Sequence, residues 1–139
     1  MARDESRSDE TARFADDLVT STAPVLTPEE SSAVAALPHN SALLIVHRGS
    51  GQGSRFLLDQ DLTVAGRHPD ADIFLDDVTV SRKHAEFHRE GNSFMVSDLG
   101  SMNGIFVDGE RVDRSNLATG SEVLIGKFRL TFYPASRGL

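Results

Sequence analysis

Three short stretches carry residue types that could together hold an anion. Gly66-Arg67 follows the alternating residues Leu62 and Val64, so its guanidinium belongs to a strand end, where paired donors can meet an oxyanion. Fourteen residues on, Ser81-Arg82-Lys83-His84 puts a hydroxyl and two cations just ahead of the strand-like Ala85-Glu86-Phe87. With Arg67 these residues would form a compact site of hydroxyl and guanidinium donors. Gly100-Ser101-Met102-Asn103-Gly104 is the third stretch. Asn-Gly marks a turn, and the Asn103 amide offers both a donor and an acceptor to the backbone of an extended peptide. Each stretch also has a plain structural reading: an arginine paired with a neighbouring aspartate, a solvated turn, a tight turn. His84 reads as a buried histidine that braces loops through hydrogen bonds, in preference to a catalytic or metal-binding role.

Other chemistries fit less well. Ser81 and His84 with an aspartate would make a hydrolase triad, but no Gly-x-Ser-x-Gly elbow frames the serine. His68-x-Asp70-x-Asp72 has groups suited to a divalent ion, yet a solvated acidic loop is the preferred reading. Gly49-x-Gly51-x-Gly53 lacks the following helix and the Lys-Ser/Thr of a phosphate-binding loop. The chain has no cysteine, which removes thiolate zinc sites, disulfides and cysteine nucleophiles. The expectation is a protein that is not an enzyme and uses no catalytic residue, cofactor or metal.

The elements that must position these groups come from the pattern of the whole chain. It has 139 residues, 15.1 kDa, and a formal net charge of -7. That acidity argues against nucleic-acid binding, which needs a dense basic footprint. No apolar run is longer than Ala42–Val46, far too short to span a bilayer, and the charged N-terminus MARDESRSDE has no apolar secretory core. A soluble, cytoplasmic monomer is expected. Residues 1–40 hold eight acids against three bases and few large apolar side chains. Such a stretch buries too little apolar surface to offset its ordering entropy, so it reads as a disordered tail, with a weak helix near Phe14–Val19. From Ser41 the pattern becomes short alternating runs separated by turn residues. These include Ala42–Arg48 and Arg55–Leu58 around a Gly-rich hairpin loop, Leu62–Gly66, Ile73–Leu75, His84–Arg89, Ser93–Asp98, Ile105–Val107, Arg111–Val112, Val123–Ile125 and Phe128–Tyr133. About ten short strands without a helical period predict an all-β sandwich over residues 41–135, with 136–139 as a short C-terminal tail.

The order Gly-Arg, Ser-x-x-His and Asn-Gly, at these spacings in an all-β chain, resembles the forkhead-associated (FHA) domain over roughly residues 41–135. The resemblance implies a β-sandwich of about eleven strands that reads phosphothreonine peptides with loops at one end. It implies that Arg67 and Ser81 contact the phosphate, that Arg82 adds charge, and that Asn103 holds the peptide backbone. Gly66, His84 and Gly104 would shape the loops. The runs Gly66–Asp70, Asp72–Arg82, Ser41–Leu44, Ser54–Gln60 and Ile125–Leu130 narrow the likeness further. They resemble the actinobacterial FHA regulators known as oxoglutarate dehydrogenase inhibitors or glycogen accumulation regulators. Membership would imply three enzyme partners: the oxoglutarate dehydrogenase complex, glutamate dehydrogenase and glutamate synthase. It would also imply a Ser/Thr protein kinase that modifies a tail threonine, after which the tail occupies its own FHA site and switches the regulator off. The family usually has Thr after Asn-Gly, where this chain has Ile105.

The family's tail motif is close to Glu-Thr-Thr-x-x-Phe, and this chain has Asp9-Glu10-Thr11-Ala12-Arg13-Phe14. Thr11 matches the second threonine and is the expected phosphorylation site; Glu10 stands where the first would be. Thr20, Thr22 and Thr27 are alternative acceptors in unlike contexts. About thirty residues separate Thr11 from the domain edge, a flexible span of about 30 Å against a domain radius of gyration near 13 Å. A phosphate near -2 would meet Arg67, Ser81 and Arg82 through charge-assisted bonds of about 1.5–3 kcal/mol each. The competing expectation is an FHA adaptor that reads phosphothreonine on other proteins without self-inhibition.

Overall fold

The alternation of apolar and polar residues resolves into two packed sheets. The computed structural model describes residues 26–48 and 53–135. One helix, α1 (Pro28–Ala35), precedes β1 (Ala42–Arg48), β2 (Arg55–Leu58), β3 (Leu62–Gly66), β4 (Ile73–Phe74), β5 (Ala85–Glu90) and β6 (Ser93–Asp98). Then come β7 (Ile105–Val107), β8 (Glu110–Val112), β9 (Arg114–Leu117), β10 (Glu122–Ile125) and β11 (Phe128–Pro134). One sheet runs β2-β1-β11-β10-β7-β8 and the other β4-β3-β5-β6-β9. The all-β sandwich read from the strand pattern, with the about eleven strands that the resemblance implied, is the fold observed. β9 and the parallel pairing of β4 with β3 are additions.

Successive side chains point to opposite faces of a sheet, so every second residue of each strand enters the core. From the first sheet come Leu44, Val46, Ile105, Val123, Leu130 and Phe132, and from the second Ala65, Phe87, Phe94 and Val96, all buried in one cluster. The Phe94 and Phe132 rings meet edge to face across the sheets with centroids 5.4 Å apart. Ile105, where the resemblance would place a Thr, is fully buried in this core.

β1 reads as an unbroken apolar run because it is covered on both faces. Its second face, Leu43 and Ile45 with Tyr133 of β11, is packed by Leu26, Ala33, Val34 and Leu37 from α1 and its flanks. This helix lies inside the stretch that the sequence reading assigned to a disordered tail, and residues 26–40 correct it. Thr27 caps the helix: its hydroxyl accepts from the Glu30 N–H at 3.1 Å, and the Glu30 carboxylate accepts from the Thr27 N–H at 3.0 Å. Pro28 occupies the first turn, where its missing N–H costs nothing. Local capping plus a narrow apolar stripe thus order a segment whose overall composition is polar. Thr27 is thereby committed to the cap. The hairpin loop at Gly49–Gly53 lies mostly outside the described residues, as do Thr11, Thr20, Thr22 and the expected helix near Phe14–Val19. Among the described residues no helix is long and apolar enough to cross a membrane.

Candidate functional site

The strand registers put the three singled-out stretches at one end of the sandwich. Ala65 of β3 pairs with Ala85 of β5, and Ala85 with Asp98 of β6. Ile105 of β7 pairs with Ile125 of β10, which pairs with Phe128 of β11. The end of β3, the start of β5, the end of β6, the start of β7 and the β10–β11 turn are therefore neighbours.

Backbone bonds then lock the loops together. The Arg67 N–H donates to the Ser81 carbonyl at 3.0 Å, and the His68 N–H to the Arg82 carbonyl at 3.3 Å. Gly66 makes this approach possible, because a Cβ there would lie 2.7 Å from the Arg82 carbonyl carbon and 3.1 Å from the Lys83 Cα. The structure thus places Arg67 beside Ser81-Arg82. Arg67, Arg82 and Lys83 are exposed and, among the described residues, make no side-chain hydrogen bond or ion pair. Arg89, Lys127 and Arg129, by contrast, are paired with Asp61, Asp77 and Glu122.

His84 is fully buried and bridges two loops. Its Nδ1 accepts from the Ser81 N–H at 3.0 Å, and its Nε2 lies 2.8 Å from the Gly104 carbonyl. An Nδ1 that accepts leaves the proton on Nε2, which donates to Gly104. Both ring nitrogens are used on backbone, so neither serves as a base for the Ser81 hydroxyl, and the triad reading has no geometric support. Ser81 Oγ instead accepts from the Met102 N–H at 3.1 Å, leaving its own proton to donate outward. The 98–104 loop is further held by Ser101, whose hydroxyl donates to Asp98 and accepts from the Gly104 N–H at 2.9 Å.

Asn103 donates one amide N–H to the Thr79 carbonyl at 2.9 Å, which leaves Oδ1 and the second N–H directed at no described residue. Thr79 is the joint that the sequence reading missed. Its hydroxyl donates to Asp77 Oδ2 at 2.6 Å and accepts from the Lys127 N–H at 3.0 Å, while the Lys127 ammonium lies 3.0 Å from Asp77 Oδ1. Thr79 therefore ties the 77–80 loop to the β10–β11 turn and to Asn103. The hydrogen bond from the Thr79 hydroxyl, then that from its N–H, then Lys127, lower the Asp77 carboxyl from 3.8 to about 2. A lowered folded value means that this contribution to stability is complete above the unfolded value. It is lost as pH falls from about 4 through about 2. An NMR carboxyl titration is expected to find Asp77 well below the ordinary range in the native chain and shifted upward in Thr79→Val. A native Asp77 titrating near 4 would contradict the network.

His68 and Asp70 come within 3.8 Å of each other, but Asp72 does not join them. His68 Nδ1 accepts from the Asp70 N–H at 3.0 Å, and Asp72 Oδ2 accepts from the Val64 N–H at 2.9 Å. Among the described residues no group of three His, Asp or Glu side chains could hold a metal ion.

Comparison with known proteins agrees with this architecture. The FHA domain family matches residues 63–126. An oxoglutarate dehydrogenase inhibitor of Corynebacterium jeikeium is 58% identical over 106 residues, covering 76% of this chain and 74% of that protein. The chain belongs to this family of FHA-domain proteins. The glycogen accumulation regulator GarA of Mycolicibacterium smegmatis is 65% identical over 101 residues, 73% of this chain. The match spans 64% of that relative's own length, slightly under two thirds. Among solved structures, Mycobacterium tuberculosis EmbR in complex with a low-affinity phosphopeptide is similar to this FHA chain at a TM-score of 0.63. It is 33% identical, with 71% of this chain and 25% of that one covered.

Proposed function

We propose that this FHA protein is a non-catalytic regulator whose loop end binds phosphothreonine, with Arg67, Ser81 and Arg82 on the phosphate and Asn103 on the peptide backbone. Gly66, His84 and Gly104 hold the loops in place. The observation that carries this reading is the Ser81 hydroxyl, which takes the Met102 N–H and keeps its proton for a ligand, set beside cations with no partner among the described residues. Charge-assisted bonds of about 1.5–3 kcal/mol each favour a dianionic ligand at such a point.

Relatives called oxoglutarate dehydrogenase inhibitor and glycogen accumulation regulator support a regulatory role, and the finer reading extends the resemblance set out above. The regulator binds and controls the oxoglutarate dehydrogenase complex, glutamate dehydrogenase and glutamate synthase in the cytoplasm. A Ser/Thr kinase phosphorylates Thr11, and the phosphorylated tail of residues 1–25 then occupies the same loops and displaces the enzymes. Supporting this order, Thr11 has acids before it and Phe14 three residues after. The alternative is an adaptor for phosphothreonine on other proteins, with no part for its own tail.

A pull-down from an actinobacterial lysate separates the two readings. The unmodified chain is expected to retain oxoglutarate dehydrogenase and glutamate dehydrogenase, and kinase treatment to release them at least tenfold. Thr11→Ala should retain them after the same treatment. Capture of phosphothreonine proteins through Ser81, indifferent to kinase treatment, would favour the adaptor.

A further inference from the structure

Arg111 is a cation at this end of the sandwich that the phosphate-binding set does not use. Within the β7–β8 hairpin Phe106 pairs with Arg111, and Gly104, two residues before Phe106, lies on the same outward face. The Arg111 side chain runs along that face onto Gly104. A Cβ at Gly104 would lie 2.6 Å from Arg111 Nε, 2.8 Å from Cζ and 2.9 Å from Nη2. Gly104 has a φ of 76°, so the residue next to Asn103 is bare for two reasons, and the guanidinium covers it. Arg111 is exposed and makes no hydrogen bond or ion pair among the described residues, although Glu110 and Asp113 stand near it in the chain. A planar, permanently charged fork held beside the backbone-binding asparagine has donors to spare for a carboxylate.

We infer that Arg111 is a specificity-determining residue that pairs with a carboxylate flanking the phosphothreonine of a bound segment, so that the site prefers acidic phosphopeptides. The inference rests on the proposed phosphothreonine reading and deepens it. The chain's own tail has the matching chemistry on both sides of Thr11, with Asp9 and Glu10 before it and Asp16 and Asp17 after it. Arg111 would thus help the site select its own tail among phosphothreonine segments of similar core sequence.

The test is fluorescence anisotropy with the unphosphorylated full chain and a synthetic peptide of residues 4–19 phosphorylated at Thr11. Two further peptides carry Asp9→Ala with Glu10→Ala, or Asp16→Ala with Asp17→Ala. An exposed ion pair predicts that Arg111→Ala weakens the parent peptide about threefold to fivefold, and that Arg111→Glu weakens it about tenfold. One of the two neutralised peptides should lose the same factor on the native chain and be insensitive to Arg111→Ala, which names the side that Arg111 reads. Equal binding of all three peptides to the native chain and Arg111→Ala would overturn the inference. So would an Arg111→Ala loss of the same size for every peptide, which reports long-range charge alone. Failure of the underlying reading looks different: the unphosphorylated parent peptide would bind as well as the phosphorylated one, or Ser81→Ala would leave binding intact.

Discussion

Gly66→Ala is expected to destabilise the protein by about 3 kcal/mol or more, lowering its melting temperature by roughly 10 °C or more. The added methyl has nowhere to go, because the atoms that crowd it are the Arg82 carbonyl and the Lys83 Cα, both backbone. A side chain could rotate aside; this turn cannot, for the Arg82 carbonyl accepts from the His68 N–H and the Ser81 carbonyl from the Arg67 N–H. Relief requires β3 to part from the 81–84 turn, which separates Arg67 from Ser81. Stability and phosphopeptide binding should therefore fall together. A differential scanning calorimetry melt within about 3 °C of the native protein would show that the turn yields cheaply, and the close-approach argument would fail.

The second large effect is expected at His84. Truncation to alanine leaves the Ser81 N–H and the Gly104 carbonyl without their partner in a fully buried position. Each unsatisfied group costs about 1–3 kcal/mol and the vacated ring volume adds to it, for a total of roughly 3–5 kcal/mol. The contrast that gives this prediction its meaning is Ser81→Ala. That change removes a hydroxyl facing the loop surface and should leave urea unfolding within about 1 kcal/mol of native while phosphopeptide affinity falls at least tenfold. If His84→Ala unfolds like the native chain, the bridge is not what holds the two loops in register. If Ser81→Ala is as unstable as His84→Ala, the hydroxyl is structural.

Much of this was legible in the sequence because the deciding signals are local. Alternation over four to seven residues gives strands, and Gly-Arg, Ser-x-x-His and Asn-Gly fall where those strands end. The buried bracing role read for His84 matches two hydrogen bonds seen in the fold. What escaped was set by distant partners. Thr79 reads as one more polar residue in an acidic loop, yet its hydroxyl takes the N–H of Lys127, 48 residues away. No spacing rule joins the two, since the order β11-β10-β7 that brings the β10–β11 turn across is a property of the sheet. The helix was missed for the opposite reason. Composition averaged over forty residues hid Thr27-Pro28-Glu29-Glu30, a capping box visible within four. The half-buried Leu26, Ala33, Val34 and Leu37 then need only the face of β1 and β11 to settle on.

That docked helix would shorten the leash of the proposed switch. Thr11 lies thirty residues before Ser41 but only fifteen before Leu26, the first described residue packed on the sheet. Fifteen residues reach at most about 50–54 Å, half the reach of thirty. The helix also insulates the leash from the chain that follows it. Residues added between Leu37 and Ser41 would leave the distance from Thr11 to its anchor unchanged, whereas the same insertion between Thr11 and Leu26 would lengthen it. Unseating α1, for instance with Val34→Asp, would hand the slack back without altering any residue of the loops.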